Sequence, residues 1–311
     1  MLYQLSYRVG ERNIASCAPV LKLASATMTT PLTHISDTAR WVAVYRAMET
    51  ERPDAIFKDP FARRLAGAQG EAIVQALPQG RTWAWPMIVR TAVFDEMILR
   101  TVAADGVRTV LNLAAGLDTR PFRLSLPSDV RWLDADLPDM IAYKRAQLAT
   151  ETPRCRLEFV EIDLRDAERR RALFARAVER GPVLAITEGL LIYLTADQAG
   201  ALADDLARAG IRWWLLDIAS PRLLKMMLKT WQRPLKEAGA PFQFAPEEST
   251  RFFEPHGWQE REWRSIWEES LRLKRSMRLA WLWSFIGRFY PKRTREQFRR
   301  FSGVALLESR R

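Results

Sequence analysis

The sequence predicts an α/β fold: a seven-stranded, mainly parallel sheet covered by helices and preceded by an N-terminal helical lid. Two observations carry this prediction. The segment 35–100 shows one helical pattern after another, and from about residue 105 short apolar strands alternate with helical patterns. Because parallel strands need crossover helices that cover the faces of the sheet, this alternation indicates a mainly parallel sheet. The length of 311 residues suits one large domain of this kind.

The first third of the chain divides into an extension and a lid. We expect residues 1–34 to form a flexible extension and residues 35–104 to form the helical lid, whose first helix Ser36 or Asp37 could cap. Met28 opens a segment typical of a natural protein start, so residues 1–27 are either an extension or a product of start-site choice. They lack the apolar stretch and small-residue cleavage site of a secretion signal.

Residues 105–311 are expected to form the sheet domain, with inserted lid elements near 220–255 and 263–301. The predicted strands are Thr109–Leu113, Asp129–Ala135, Leu157–Ile162, Val183–Thr187, Ile211–Ile218, a strand after Gly257, and Gly303–Glu308. Helical patterns between them cover Leu137–Leu148, Ala167–Arg180 and Ala196–Ala209.

Composition narrows the function classes. Two cysteines exclude a disulfide framework and favour a reducing, cytoplasmic compartment, and two histidines with no other ligand spacing predict no metal site. The net charge of +11 comes without a zinc finger, an RNA-binding signature or a basic zipper, so we expect no nucleic-acid partner and a basic surface that also attracts small anions. No stretch reaches the roughly 20 apolar residues that span a bilayer.

The residues that end the first two strands indicate a ligand site. In open α/β sheets ligands bind at the carboxyl ends of the strands. The first strand runs into Ala114-Ala115-Gly116, whose small residues allow backbone amides to approach a ligand, although a plain turn has the same composition. Asp136 ends the second strand 20 residues after Gly116. That spacing suits a carboxylate that holds ribose hydroxyls and predicts an adenosine-containing ligand; alternatively Asp136 caps the next helix.

Two further strand ends supply acids. Asp163 with Leu164 would offer adenine an acceptor for its exocyclic amine and an apolar contact for its face. Glu188 follows the fourth strand, where the reacting end of a ligand would lie, unless it is a surface acid. The sequence has no G-x-G-x-x-G, Walker or G-x-S-x-G motif, which argues against hydride transfer, phosphoryl transfer and serine hydrolysis.

Taken together, the ordered motifs resemble the leucine carboxyl methyltransferase family, especially its bacterial branch of S-adenosylmethionine-dependent methyltransferases. The resemblance runs from about Ser36 to the C-terminus. Its motifs are Asp37-Thr38-Ala39 with Arg46-Ala47, Asp59-Pro60-Phe61-Ala62, Arg90-Thr91 with Asp95, Gly116-Leu117-Asp118-Thr119-Arg120, Asp136-Leu137-Pro138, Asp163-Leu164-Arg165, Glu188-Gly189-Leu190 with Tyr193-Leu194, and Gly257-Trp258.

The resemblance implies a Rossmann-like class I methyltransferase fold, an enzyme, and S-adenosylmethionine as cofactor. It implies that Arg90 grips the methionine carboxylate, that Ala114 and Gly116 lie under the methionine portion, that Asp136 holds the ribose, that Asp163 and Leu164 contact adenine, and that Glu188 lies near the sulfonium. The chain departs from the family in one turn, since the family often has glycine where this chain has Ala114 or Ala115. Arg40 is the nearest counterpart of a lysine that relatives acting on protein C-termini use.

The expected reaction is O-methylation of a small apolar or anionic acceptor, with Glu188 and Tyr193 as the candidate catalytic residues. A carboxylate acceptor is ionised and needs no general base, whereas a hydroxyl acceptor needs one, and neither histidine ends a strand of the core sheet. The sequence therefore favours a carboxylate. The alternatives are a hydroxyl O-methyltransferase of secondary metabolism and, less favoured, a nucleic-acid-binding RNA methyltransferase. The aromatic and arginine-rich segment 263–301 has three interpretations: a lid over an apolar acceptor, a contact with anionic lipid, or core packing on the sheet.

Overall fold

The computed structural model describes residues 37–76, 80–237 and 241–310. The predicted extension 1–34, the candidate start Met28 and the candidate cap Ser36 lie outside these residues.

The described residues form eleven α-helices and seven strands. The helices are α1 Asp37–Thr50, α2 Ala62–Ala76, α3 Ala84–Ala104, α4 Arg120–Arg123, α5 Pro138–Gln147, α6 Ala167–Val178, α7 Ala196–Arg208, α8 Pro221–Glu237, α9 Ile266–Arg272, α10 Ala280–Gly287 and α11 Lys292–Arg299. The strands are β1 Thr109–Leu113, β2 Arg131–Asp136, β3 Arg156–Glu161, β4 Val183–Thr187, β5 Trp213–Ala219, β6 Trp258–Ser265 and β7 Ser302–Ser309. Short 3-10 helices occupy Leu191–Tyr193 and Ser249–His256.

The seven strands make one sheet in the order β3-β2-β1-β4-β5-β7-β6. The first five strands run parallel, and β7 lies antiparallel between β5 and β6. The predicted seven-stranded, mainly parallel sheet is therefore confirmed. Two strands begin two residues later than predicted, because the pairing with a neighbouring strand sets their first residue. Strand β2 begins with Arg131, which lies opposite Thr109, and β5 begins with Trp213, which lies opposite Leu184.

Both faces of the sheet are covered, and the strand residues alternate between them as the period of two requires. In β5, Trp214 and Leu216 face the core that α6 and α7 complete with Phe174 and Leu206. Their neighbour Leu215 faces the opposite core, which α3 completes with residues such as Phe94. Helix α3, at the end of the predicted lid region, thus covers one face of the sheet.

Helices α1 and α2 pack beside this sheet domain. Tyr45 of α1 and Leu65 of α2 belong to a third core cluster that also contains Leu117 and Phe122, which follow β1. Arg46 of α1 donates to Asp59 at 2.8 Å and to the carbonyl of Leu117 at 2.6 Å, so it fixes α1 to the turn after β1. A lid function of these helices stays a prediction.

The aromatic segment after Trp263 is only partly a core element. Trp263 on β6 is buried, as the core-packing interpretation requires. That interpretation is wrong for Trp281, Trp283 and Phe289, whose side chains are more than half exposed. No helix in the described part of the chain is long and apolar enough to cross a membrane.

Candidate functional site

A cavity of about 910 Å³ lies at the carboxyl ends of β1, β4 and β5. Asn112 of β1, Glu188 directly after β4 and Asp217 of β5 all line it. Strands β1 and β4 are neighbours in the sheet, but their chains continue to opposite sides, toward β2 and β5. This reversal of strand order opens a crevice at the carboxyl ends of β1 and β4, which is where open α/β sheets bind ligands.

The turn after β1 brings backbone into the cavity. Ala114 and Gly116 have φ angles of 51° and 48°, in the left-handed region. A Cβ on Gly116 would lie 3.2 Å from the Cβ of Ala39, so α1 approaches this turn more closely than a larger residue allows. Ala114 adopts its conformation at a cost, because a Cβ crowds the following carbonyl there. The turn therefore keeps a strained backbone and small side chains at the ligand crevice.

Asp136, at the end of β2, is attached to that turn. Its Oδ2 accepts a hydrogen bond from the N–H of Gly116 at 2.6 Å, and its Oδ1 accepts one from the N–H of Leu137 at 2.7 Å. Burial raises the pKa of Asp136, and these backbone donors oppose the increase. Helix α5 starts only at Pro138 and no side chain caps it. The carboxylate thus bridges two strand ends instead of capping the helix.

Glu188 is held between two arginines. Its Oε1 accepts from Arg90 Nε at 3.0 Å, and its Oε2 lies 2.7 Å from a guanidinium nitrogen of Arg120. Burial acts to raise the pKa of Glu188, but Arg120 and Arg90 together outweigh it, so this pKa lies below its usual range. Glu188 is therefore a fixed, ionised carboxylate and a weak proton acceptor at neutral pH.

Asp217 on β5 is a site residue that the sequence analysis missed. It accepts from Arg90 at 3.0 Å and from the N–H of Gly189 at 2.6 Å, so it ties α3 and the turn after β4 to the fifth strand. The signal was present, since an acid near the end of a parallel strand is the criterion that identified Glu188.

Arg120 extends the network of charges in the cavity wall. It donates to Asp95 at 2.6 Å and to Asp118 at 2.7 Å, in addition to its contact with Glu188. Asp118 also accepts from the side-chain amide of Asn112 at 3.0 Å. The Arg120 side chain is almost fully buried, so these carboxylates compensate a charge that would otherwise be costly.

Tyr193 lines the cavity from the 3-10 helix that follows β4. Its ring lies 5.3 Å from that of Phe242, measured between centroids, and burial raises the pKa of its hydroxyl. The hydroxyl is thus protonated at neutral pH, and it shares a hydrogen bond with the side chain of Thr38, which also lines the cavity.

Asp163 and Leu164 do not line the cavity. Both Asp163 oxygens accept from Arg165, and Leu164 packs against the core while its carbonyl accepts from Arg170 at 2.7 Å. The reason is topological, because β3 is the edge strand and its end lies two strands away from β1. Arg40 also lies outside the lining; it donates to the Tyr143 hydroxyl at 2.7 Å and stacks on that ring.

Five of the eight predicted site residues line the cavity: Arg90, Ala114, Gly116, Glu188 and Tyr193. Asp136 reaches it through its bond to Gly116. The rest of the lining is largely apolar and aromatic, with arginines where the cavity meets the surface. These surface residues are Trp267, Trp283, Tyr290, Phe298, Arg288, Arg295 and Arg299. The described residues contain no group of three or more His, Cys, Asp or Glu side chains placed to hold a metal ion.

Comparison with solved structures supports the fold. A DUF574 family protein from Streptomyces avermitilis matches with a TM-score of 0.57 at 13% identity, covering 90% of this chain and 98% of that one. A structure from Thermobifida fusca titled "putative methyltransferase" matches with a TM-score of 0.56 at 16% identity, covering 90% and 96%. At such identities the likeness concerns the fold alone, and it agrees with the predicted Rossmann-like class.

Comparison of sequences identifies relatives named "Putative S-adenosyl-L-methionine-dependent methyltransferase". One from Parafrankia sp. is 38% identical over 184 residues, which are 56% of this chain and 59% of that protein. Another from Mycolicibacterium smegmatis is 38% identical over 191 residues, covering 56% and 63%. The matched region thus spans less than two thirds of either relative.

The family model described as leucine carboxyl methyltransferase matches residues 39–207. The match begins within α1 and ends within α7, and it contains the first four strands and every predicted site residue. The resemblance inferred from the ordered motifs is confirmed: this chain belongs to the leucine carboxyl methyltransferase family.

Proposed function

We propose that this chain is an S-adenosylmethionine-dependent O-methyltransferase whose acceptor is an apolar molecule with a carboxylate. One observation carries the choice of acceptor. The described lining bears seven arginines and four acids, and no His, Cys or Lys. Each of the four acids pairs with an arginine, and the excess of arginines leaves a positive charge that attracts an anion. The lining therefore offers few free groups that could remove a proton from a neutral hydroxyl.

The residues present fit S-adenosylmethionine. The turn at Gly116 lines the cavity with small residues, and the missing Cβ of this glycine lets α1 approach it. Asp136 would accept from the ribose hydroxyls through oxygens that each keep a second lone pair, and Arg90 would contact the methionine carboxylate. The adenine contacts proposed for Asp163 and Leu164 would require a ligand that extends beyond the cavity, toward β3.

Two carboxylates suit the positive charges of this cofactor. Glu188 and Asp217 both contact Arg90, and both line the cavity. They would stabilise a bound ammonium and a sulfonium, while Arg90 and Arg120 hold the carboxylate of Glu188 in place. Glu188 then acts by position and charge, which agrees with its low pKa.

The bound cofactor supplies an electrophilic methyl group on sulfur. This methyl group would pass to an oxygen of the acceptor carboxylate, while the electron pair of the broken S–CH3 bond would stay on sulfur. No proton would have to be removed, so the chain would need no general base. The chain contributes alignment of the two reactants and exclusion of water, for which the aromatic lining and the Tyr193 hydroxyl are suited.

The cofactor is tested by calorimetric titration of S-adenosylmethionine into the wild type and Asp136→Ala. Loss of hydrogen bonds to a charged group should weaken binding roughly 10- to 100-fold. Asp129→Ala, which removes a carboxylate from an exposed ion pair with Arg108, is the control and should bind as the wild type does. Absence of binding to the folded wild type would overturn the proposed function.

The acceptor class is tested by the chemistry of the product. A labelled methyl group that mild alkali releases as methanol identifies an ester and therefore a carboxylate acceptor. A label that resists alkali identifies an ether, and the hydroxyl alternative would replace the proposal. Acceptors that pair an apolar body with a carboxylate should be turned over faster than their amides, because the amide lacks the nucleophilic charge.

A further inference from the structure

The segment between Met277 and Arg300, here called the basic-aromatic segment, has an unusual surface. Of the large apolar side chains that are exposed in the described part of the chain, every one except Met226 belongs to it. Trp281 and Phe289 are 68% and 77% exposed. Only Ala280 is buried in α10, and α11 contributes no buried residue. The segment therefore presents a concentration of large apolar side chains that the described structure leaves exposed.

Positive charge surrounds this apolar surface. The segment contains seven Lys and Arg residues and a single acid, Glu296. Arg299 and Arg300 form ion pairs with Glu268 and Glu260 on neighbouring elements. The other five basic side chains are exposed: Arg278, Arg288, Lys292, Arg293 and Arg295.

We propose that the basic-aromatic segment docks on the surface of an anionic lipid bilayer. Tryptophan, tyrosine and phenylalanine favour the boundary between headgroups and acyl chains, and neighbouring lysines and arginines attract anionic headgroups. Helix α10 has eight residues and is about 12 Å long, against a hydrocarbon core of about 30 Å, so it lies in the interface.

The charge of the segment argues against a second copy of this chain as the occupant. In a symmetric dimer the same patch lies on both sides of the interface. Two patches with a large excess of positive charge would then face each other, which is unfavourable when they are desolvated. An anionic bilayer complements the charge and accepts the aromatic side chains at the same time.

The segment also belongs to the cavity. Trp283, Tyr290 and Phe298 line it, and the rings of Tyr290 and Phe298 stack with centroids 5.8 Å apart. Trp281, Phe285 and Phe289 are exposed and do not line it. One side of the segment thus forms the mouth of the cavity while the other side is available to lipid. Docking would place the mouth of the cavity at the bilayer surface.

The experiment is co-sedimentation of the full chain with vesicles of phosphatidylcholine alone and of an equal mixture of phosphatidylcholine and phosphatidylglycerol. Docking predicts binding to the mixed vesicles that weakens as salt is added. Trp281→Ser with Phe289→Ser should weaken it about tenfold or more, because two aromatic side chains lose their burial in lipid. Lys292→Glu with Arg293→Glu should weaken it by a similar factor.

Arg171→Glu with Arg180→Glu is the matched control, since it reverses two exposed charges outside the segment. It should retain wild-type binding, and all variants should keep the wild-type circular dichroism spectrum. Equal loss in the control would mean that net charge alone binds the vesicles and would overturn the proposal. So would absence of wild-type binding, or a solution mass that falls from dimer to monomer in the Trp281 and Phe289 variant. The measurement needs neither cofactor nor acceptor, so its outcome is independent of the proposed function.

Discussion

The ammonium group of Lys144 lies 2.5 Å from Asp134 Oδ2, and neither side chain is exposed. Asp134 on β2 also accepts from the indole N–H of Trp132 at 2.7 Å and from Asn112 at 3.0 Å. Asn112 in turn donates to Asp118, whose partner Arg120 contacts Glu188. The pair thus lies at one end of a polar network that continues into the wall of the candidate site.

We predict that Lys144→Met destabilises the fold by about 3–5 kcal/mol, because it leaves the carboxylate of Asp134 buried without its cation. Burial already raises the pKa of Asp134 and Lys144 opposes that increase, so the substitution should raise this pKa further. Urea denaturation measures the loss. Arg108→Met, in the exposed pair with Asp129, is the control and should cost no more than about 1 kcal/mol. Equal losses of unfolding free energy in the two variants would show that the buried pair contributes no more to stability than the exposed one.

Ala114→Gly should be neutral or stabilise the protein by up to about 1 kcal/mol. Ala114 has a positive φ that a residue with a Cβ adopts at a cost of about 1–2 kcal/mol, which exceeds the entropic penalty of glycine. Ala115→Gly is the matched control: the neighbouring residue has no positive φ, so it should lose about 0.5–1 kcal/mol. Thermal unfolding of both variants decides the matter, and opposite signs are the expected result.

The strand ends that carry candidate site residues were predictable, because parallel strands bring their carboxyl ends to the same side of the sheet. That rule locates Gly116, Asp136 and Glu188 from the alternation of strands and helices alone. It does not give the distance of each strand from the site. Asp163 satisfied the same rule, yet β3 is the edge strand and the carboxylate pairs with Arg165 at the surface.

Side-chain partners were not predictable. The sequence indicated an acid at Glu188 but not that Arg90 from α3 and Arg120 from α4 hold it, since such contacts depend on how distant helices pack. The environment of α10 also escaped prediction. Its sequence is apolar apart from Ser284, and composition alone does not distinguish a core helix from an exposed one, so the interpretations of this segment stayed open.

Arg275→Met should loosen the connection between α1 and the chain that leads into the basic-aromatic segment. Arg275 donates to both oxygens of Glu49, at 2.9 Å each, and the Glu49 side chain is fully buried. The substitution leaves a buried carboxylate and should cost about 3–5 kcal/mol. Hydrogen exchange should accelerate first in the residues that follow Arg275. Arg52→Met is the control because Arg52 contacts Glu49 from an exposed position; it should cost no more than about 1 kcal/mol.

Glu188→Gln should change the pH dependence of stability in a definite direction. Burial acts to raise the pKa of Glu188, but Arg120 and Arg90 prevail and lower it in the folded state. A carboxylate with a lowered folded-state pKa contributes stability above its unfolded value of about 4.3 and loses that contribution as the pH falls through the folded value. The difference in unfolding free energy between wild type and Glu188→Gln should therefore be largest near neutral pH. It should shrink below about pH 4, as urea denaturation at several pH values would measure.

Glu179→Gln removes an exposed carboxylate and should differ from wild type by less than about 0.5 kcal/mol throughout. A Glu188→Gln difference that grows as the pH falls would contradict the assignment of Glu188 as an ionised carboxylate held by two arginines.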